Sequence, residues 1–305
     1  RLGLSAQRFV AGRHLCRTVP PRFFRTTRPL GAAAVDPWLS RPLASRELPD
    51  GLKVFIATPA YGGNVTVDYM TAVVNIITQM REVSWQLHLV AGESIITVGR
   101  NNAVMEFLAS DCTHLLFLDA DIAVNVDTIK GLLLLNQHVA LVPYPAKNLS
   151  EEKMQSVSER CRTPAQLRDG LHYVLHAQTG KVQEALNANS NFVEVDAGPT
   201  GCMLISRVVF DVLREAYPRL HCRIHGSTGG RSYHHAVWWR FFDTMVSEEN
   251  EFLGEDIAFC KRWRGAGGAI WADLGATVSH VGRHAFTGSI LDGARELAGG
   301  GRRGR

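Results

Sequence analysis

The alternation of short apolar runs with longer segments at helical spacing, beginning at Leu52, constrains the fold of this 305-residue chain most. Short apolar runs between turn residues predict strands, and apolar residues every three to four positions predict amphipathic helices. Strands and helices that alternate in this way form a largely parallel sheet with the helices packed on it. The predicted strands cover 53–58, 86–91, 114–121 and 138–144, and the predicted helices cover 66–80, 99–110 and 126–136.

The second half of the chain continues the pattern less regularly. Residues 191–218 predict a strand, a glycine-bearing turn, a second strand and a helix, and 254–267 predict a helix that starts with acids and ends in glycines. Residues 269–273 and 276–282 predict strands or extended chain, whereas 147–190 lack a clear period and predict a variable region with short strands. We expect an α/β fold with a mostly parallel, twisted sheet flanked by helices.

The positive charge of the chain lies at its ends. Residues 1–35 hold seven arginines and no acidic residue, and 302–305 hold three more; removing these ten charges from the total of +4 leaves −6 for the body. A nucleic-acid partner is therefore not expected. We predict a basic, disordered extension over 1–47, a folded domain over 48–290 and a flexible Gly/Arg tail over 291–305.

Two sequence features bear on location. No apolar stretch approaches the roughly 20 residues that a spanning helix requires, so no integral membrane segment is expected. The six cysteines form no CxxC pair, which favours a reducing compartment and a cytoplasmic location. The Arg-rich, acid-free N-terminal segment also has the composition of an organelle transit peptide, with an unstructured extension or upstream sequence read in frame as alternatives.

Polar clusters follow the predicted strands where each strand ends. They are TPAYGG after the first strand, AGES after the second and DAD after the third. Sheets of this kind bind ligands beyond the carboxyl ends of their strands, so these clusters are expected to share a site. Asp119 and Asp121 in LDAD are suited to a hard divalent cation that also binds a diphosphate; the alternative is a loop of solvated carboxylates.

Further candidates each have a structural alternative. Arg100, at a helix start, could bind a phosphate or a base, or lie on the surface, and Asn101 and Asn102 could be caps. Glu255 and Asp256 could complement a helix dipole, or one of them, with Asp256 preferred, could act as a general base.

The remaining candidates are also open to two interpretations. TPAYGG could bind a nucleotide or form a plain turn, and the glycines of GPTG could permit close approach of a ligand or only make a turn. His280 could be a metal ligand or a structural histidine. Trp238 and Trp239 could form an acceptor-sugar platform or pack in the core.

The order of these motifs resembles a GT-A-fold glycosyltransferase, similar to the family 2 type. TPAY, RNNA, LDAD, GPTG, GED and a late SH occur in that order over residues 52–284. The resemblance implies a GT-A-like, Rossmann-like sheet with a smaller acceptor-side subregion, and it makes 48–290 the catalytic domain. The usual QxxRW segment is absent, although Arg262-Trp263 is loosely similar, which argues against a processive polymer synthase.

The resemblance implies roles for individual residues. Mn²⁺ or Mg²⁺ would be bound by Asp119, Asp121 and His280, with Asp121 the more direct contact, and Asp256 would be the catalytic base beside Glu255. The residues expected to bind the nucleotide sugar are Thr58, Pro59, Ala60, Tyr61, Arg100, Asp119, Ala120 and Gly201.

The implied reaction is direct displacement, with inversion, from a UDP- or GDP-linked sugar to a hydroxyl of a glycan, a lipid-linked acceptor or a protein. In a retaining enzyme, Asp256 would instead hold the acceptor. Two other functions compete with this one. A nucleotidyltransferase that makes nucleotide sugars should carry a Gly-rich signature with Arg and Lys after the first strand, which TPAYGG lacks. A non-catalytic sugar- or protein-binding module would not require carboxylates at both 119–121 and 255–256.

Overall fold

The computed structural model describes residues 46–149, 171–188, 190–223, 238–282 and 285–291. Strands and helices alternate through the first part of the chain, as the apolar pattern predicts. These elements are β1 (Lys53–Ala60), α1 (Val67–Gln79), β2 (Ser84–Ala91), α2 (Ile96–Ala109), β3 (His114–Leu118), β4 (Ile122–Val124), α3 (Val126–Leu135) and β5 (Val139–Leu141).

The second part of the chain contains shorter strands. Its elements are β6 (Pro145–Leu149), β7 (Leu171–Tyr173), α4 (Thr179–Asn187), β8 (Phe192–Val195), β9 (Cys202–Ser206), α5 (Arg207–Ala216), a 3-10 helix (Pro218–Leu220), β10 (His221–Cys222), β11 (Trp238–Trp239), β12 (Met245–Val246), β13 (Phe252–Leu253), α6 (Glu255–Gly265), β14 (Ile270–Asp273), β15 (Val278–Val281) and β16 (Ala285–Gly288).

A seven-stranded sheet in the order β2-β1-β3-β9-β5-β14-β8 forms the centre of the fold. β1 pairs in parallel with β2 and β3, and β5 pairs in parallel with β14. β9 and β8 run the other way, because β9 is antiparallel to β3 and β5, and β8 is antiparallel to β14. Five of the seven strands therefore share one direction, and the predicted α/β class with a mostly parallel sheet is confirmed.

The sheet is covered on both faces along β1, whose alternating side chains enter two separate apolar clusters. Along β1, Val54 and Ile56 pack into a cluster with α1 and α3, while Phe55 and Ala57 pack into a second cluster with α2, α5 and α6. Fully burying one such large apolar side chain contributes about 1.5–3 kcal/mol. A strand with two buried faces cannot shift its register without exposing one of them, so β1 fixes the positions of its neighbours.

Side-chain caps set where two helices begin. Thr66 accepts from the backbone N–H of Tyr69 at 3.2 Å and caps α1, and Asn125 accepts from the N–H of Thr128 at 2.7 Å and caps α3. α3 ends at Asn136, which adopts the left-handed conformation with φ of 53°. These caps explain why the predicted boundaries of α3, 126–136, lie so close to the observed ones.

The strand predicted over 138–144 covers only Val139–Leu141, and three further elements also differ clearly from the sequence prediction. The strand predicted over 114–121 stops at Leu118, and a turn separates it from β4. α2 begins at Ile96 rather than at residue 99, without a side-chain cap. The region 147–190, predicted to be irregular with short strands, contains the helix α4, of whose residues only Ala185 is buried. α4 is short and mostly polar, with the sequence TGKVQEALN, so it contains few apolar residues that could signal a helix.

Two sequence predictions concern residues outside the described ranges, namely the N-terminal segment up to residue 45 and the tail from 292. Arg46 is described, and its guanidinium donates to the carbonyl of Leu134 at 3.2 Å. The described cysteines, Cys112, Cys202, Cys222 and Cys260, are free thiols. Within the described ranges, every helix is too short or too polar to cross a bilayer. The GT-A assignment, the acceptor-side subregion and the domain boundaries stay predictions.

Candidate active site

The turn that carries Asp119, Ala120 and Asp121 lies at the carboxyl end of β3 and is fixed by backbone hydrogen bonds. The N–H of Asp119 donates to the carbonyl of Gly201 at 2.9 Å, and the N–H of Thr66 donates to the carbonyl of Ala120 at 2.9 Å. The N–H of Val281 donates to the carbonyl of Asp121 at 2.8 Å. Backbone groups from three other parts of the chain thus hold this turn and fix the positions from which its two carboxylates extend.

Arg100 binds Asp119 through both of its terminal nitrogens. The N–O distances are 3.1 and 3.2 Å, and Nε of Arg100 lies 3.3 Å from Oε1 of Glu255. Arg100 is 4% exposed, and its guanidinium lies 5.2 Å from the ring centre of Phe117. Burial alone would lower the pKa of Arg100, but Asp119 and Glu255 outweigh burial and raise it. Arg100 is therefore a fixed positive charge between the two acidic segments.

Asp121 contacts a different pair of side chains. Its Oδ1 lies 3.5 Å from Nε2 of His280, and its Oδ2 contacts the ammonium of Lys147. Burial opposes ionisation of Asp121, but the contacts with His280 and Lys147 outweigh it and lower the pKa of this carboxyl. The antiparallel pairing of β15 with β4, which sets His280 opposite Ile122, brings the histidine to Asp121.

The orientation of His280 is fixed by a second hydrogen bond. Its Nδ1 lies 2.8 Å from the carbonyl oxygen of Pro145. A carbonyl oxygen only accepts, so Nδ1 must carry the hydrogen. Nε2 is therefore the nitrogen that faces Asp121: it presents a lone pair when the ring is neutral and donates a hydrogen to the carboxylate when the ring is protonated. A backbone carbonyl that fixes the tautomer of a histidine in this way is the usual arrangement behind a metal-binding imidazole.

Tyr144 lies between the residues around Arg100 and the residues around Asp121. Its ring packs edge-on against His280 with 4.9 Å between ring centres, and its hydroxyl interacts electrostatically with Asp119, Arg100 and Asp256. Burial raises the pKa of this hydroxyl well above its ordinary range. Gly201 lies directly against it, since a Cβ built at position 201 would be 2.5 Å from the tyrosine oxygen. The glycine is required here for the close approach of Tyr144.

Asp256, at the start of α6, is half-buried beside this network. Its Oδ1 accepts from the N–H of Ile257 at 2.7 Å. Burial raises the pKa of the Asp256 carboxyl, although the hydrogen bond from Ile257 works against this effect. Among the residues that the structure describes, Asp256 has no ion-pair partner, whereas Glu255 is bound to Arg100. The two neighbouring carboxylates thus have different environments.

The residues that end β1 lie in different environments. Thr58 is fully buried, and its hydroxyl forms a hydrogen bond of 2.5 Å with the hydroxyl of Tyr69 in α1. The carbonyl of Ala60 accepts from the N–H of Gly63 at 2.8 Å to form the turn after Pro59. Tyr61 is 69% exposed. The predicted roles of these residues in nucleotide binding stay predictions.

The residues after Arg100 hold the loop at 238–242. The amide oxygen of Asn101 accepts from the N–H of Phe242 at 2.8 Å, and that of Asn102 accepts from the indole N–H of Trp238 at 2.8 Å. Neither asparagine caps α2, whose cap position is Ile95. Trp238 is buried in the core, while Trp239 is half-buried and stacks on Phe241 with 5.7 Å between ring centres.

No protein-family model matches this chain. No curated protein sequence matches it either. Among solved structures, it is similar to the crystal structure of A197 from STIV, with a TM-score of 0.42 and 14% sequence identity over 79% of this chain and 91% of that one. A likeness this distant carries no argument about function.

The structure brings some of the predicted metal ligands together and separates another from them. Asp121 and His280 face each other, but Asp119 is turned to Arg100. Within the described ranges, no group of three or more His, Cys, Asp or Glu side chains is arranged to hold a metal ion. Two protein ligands can suffice for a cation that also binds substrate phosphates and water.

Sequence reasoning missed the contribution of residues 144–147. Tyr144, the carbonyl of Pro145 and Lys147 all contact the site. This segment follows β5, another strand of the parallel group. The rule that identified the clusters after the first three strands could have identified this one as well.

Proposed function

We propose that this chain is a glycosyltransferase that uses a divalent cation to move a sugar from a nucleoside-diphosphate sugar to an acceptor hydroxyl. The observation that carries the proposal is the pair formed by Asp121 and His280. The tautomer of His280 directs a nitrogen lone pair at a carboxylate oxygen 3.5 Å away. Two acceptors facing each other repel unless a positive species lies with them, and a divalent cation or a proton on the imidazole would satisfy both.

The charges of the site favour a divalent cation. Asp119, Asp121, Glu255 and Asp256 provide four carboxylates, and among the described residues the Arg and Lys side chains that contact them are Arg100 and Lys147. When all four carboxylates are ionised, the excess is two negative charges. Carboxylate oxygens with one imidazole nitrogen suit Mn²⁺, and carboxylates with phosphate oxygens suit Mg²⁺.

Asp121 and His280 would hold the cation, and Asp119 would contact it through water or the bound diphosphate. When bound, the cation would supply a Lewis acid that offsets the charge on the departing diphosphate. Arg100 has a supporting role in this scheme. Because its guanidinium is buried and engaged by Asp119 and Glu255, it orients Asp119 instead of reaching the nucleotide itself.

Asp256 is the residue we propose as general base. A carboxylate whose pKa is raised by burial accepts a proton more readily than an ordinary one. Glu255 is less suited because its carboxylate is bound to Arg100. Asp256 would take the proton of the acceptor hydroxyl as that oxygen attacks the anomeric carbon, which makes the reaction inverting. UDP or GDP is the proposed leaving group, and a glycan, lipid-linked or protein hydroxyl is the proposed acceptor.

Thermal unfolding with nucleotides tests the proposal. Mn²⁺ together with UDP or GDP should raise the melting temperature of the wild type, because a ligand that binds only the folded state stabilises it. Asp121→Asn should abolish this rise. Asp111→Asn is the control. It removes a carboxylate paired with Lys53 at the amino end of β1, away from the site, and should leave the rise in melting temperature unchanged. The proposal fails if neither nucleotide with Mn²⁺ shifts the wild-type melting temperature.

A further inference from the structure

Of Arg100 and Lys147, the two described Arg and Lys side chains that contact the four carboxylates of the site, Lys147 is the more exposed. It contacts Asp121, and both side chains are 35% exposed. Arg100, by contrast, is 5% exposed at its side chain and binds two carboxylates. The flexible four-carbon stem of lysine lets its ammonium change partners at low cost, whereas the buried fork of Arg100 would leave two carboxylates without a partner.

Lys147 is also placed by the same segment that orients His280. Pro145, two residues earlier, provides the carbonyl that accepts from Nδ1 of His280. Lys147 and His280 then contact opposite oxygens of Asp121. An ammonium on Oδ2 and a divalent cation on the same carboxylate repel each other, since at such short range the Coulomb term between like charges is large. A cation that binds Asp121 would therefore weaken the hold of Lys147.

We propose that Lys147 holds Asp121 in the cation-free protein, yields it to the incoming divalent cation, and then donates to the diphosphate of the sugar donor. This role rests on the glycosyltransferase proposed above. The released ammonium would remain on the segment beside Asp121, and the diphosphate bound with the cation would give it a new anionic partner. Lysine is a well-suited phosphate donor because it acts as a compact positive charge with three N–H groups.

The proposal predicts that removing the ammonium of Lys147 changes the affinity for Mn²⁺ and the affinity for UDP or GDP in opposite directions. Lys147→Met removes a competitor for Asp121, so the affinity for Mn²⁺ alone should rise about two- to fivefold, the range expected for a half-exposed ion pair. The same variant loses a charged hydrogen bond to phosphate, so the affinity for UDP or GDP at saturating Mn²⁺ should fall about tenfold. Uridine and guanosine, which have no phosphate, should not distinguish the variant from the wild type.

Matched variants separate this role from a general effect of charge. Lys147→Arg keeps a donor and should hold the UDP or GDP affinity within about threefold of the wild type. Lys53→Met removes a lysine paired with Asp111 at the amino end of β1 and should change neither affinity. Free Mn²⁺ measured by electron paramagnetic resonance gives the first affinity, and calorimetry gives the second.

The results distinguish this inference from the proposed function. If the wild type binds Mn²⁺ with UDP or GDP but Lys147→Met leaves either affinity unchanged, the role of Lys147 is overturned and the glycosyltransferase proposal stands. If the wild type binds neither nucleotide with Mn²⁺, both proposals are overturned.

Discussion

At the scale of single residues, the two neighbouring carboxylates at the start of α6 differ in their partners and therefore in their chemistry. Glu255 is bound by Arg100, while Asp256 accepts from the N–H of Ile257 and has a raised pKa because it is buried. The fixed guanidinium of Arg100 sets this difference, since it reaches one carboxylate and not the other. Glu255 thus neutralises a buried charge, and Asp256 is left free to exchange a proton.

Asp256→Asn should separate chemistry from binding. The amide keeps the shape of the side chain but cannot accept a proton, so transfer to the acceptor should slow about 10²- to 10⁴-fold. The affinity for UDP or GDP with Mn²⁺ should not change, and the melting temperature should stay equal or rise, because the variant no longer buries a carboxylate. Transfer kinetics, calorimetry and thermal unfolding measure the three quantities. Transfer at the wild-type rate would show that another group is the base.

At the scale of elements, Arg207 joins two helices. It is the first residue of α5, and its guanidinium donates to two carbonyls in the last turn of α2, those of Phe107 at 2.9 Å and Leu108 at 3.2 Å, and to two just after it, those of Ser110 at 2.8 Å and Cys112 at 2.7 Å. The last carbonyls of a helix have no partner within it, and a cation there also complements the helix dipole. Arg207 therefore adds donors from a distant part of the chain to the end of α2, where the hydroxyl of Ser110 also donates to the carbonyl of Phe107 at 2.7 Å.

Arg207→Met should lower the free energy of unfolding by about 2–4 kcal/mol, because several half-buried carbonyls lose a charged donor at once. Arg81 provides a matched control, since it is exposed and donates one bond, at 3.1 Å, to the carbonyl of Thr78 at the end of α1. Arg81→Met should cost less than about 1 kcal/mol. Urea denaturation gives both values. Equal losses for the two variants would contradict the role of Arg207.

The sequence predicts elements better than contacts. Caps and apolar periods predict α3 and the strands of the parallel group, because those signals are local. The bond between Arg100 and Asp119 joins residues 19 positions apart, and that between Arg100 and Glu255 joins residues 155 apart, so no local pattern contains them. The place of Lys147 beside Asp121 depends in the same way on tertiary structure. Sequence reasoning could thus point to the acidic segments but not to their partners.

At the scale of the whole molecule, one buried and one half-buried group shape the dependence of stability on pH. Asp273, at the end of β14, is 6% exposed, and burial raises its pKa from 3.8 to about 6. Between these values the folded protein holds a proton that the unfolded chain has released, so stability falls as the pH rises. His114 acts in the opposite direction, since burial lowers its pKa from 6.5 to about 4 and stability rises with pH in that window.

Asp273→Asn should remove the loss of stability that Asp273 causes as the pH rises from about 4 to 6. Above pH 6 the variant should be more stable than the wild type by about 2–3 kcal/mol, from a pKa shift of about two units, and below pH 4 the two should be equal. Asparagine can still accept from the N–H of Gly275, which donates to Asp273 at 3.0 Å. Urea denaturation at pH 4, 5, 6 and 7, with Asp111→Asn as a surface control, measures the difference. A difference independent of pH would exclude this titration.

The three successive side chains of Arg100, Asn101 and Asn102 bind an acidic pair, a main-chain amide and an indole, each from a different region. One residue inserted ahead of them in α2 would rotate all three by about 100° around the helix axis. All three attachments would then be lost together. The spacing along this helix is consequently a stricter requirement on the chain than the identity of any one of the three residues.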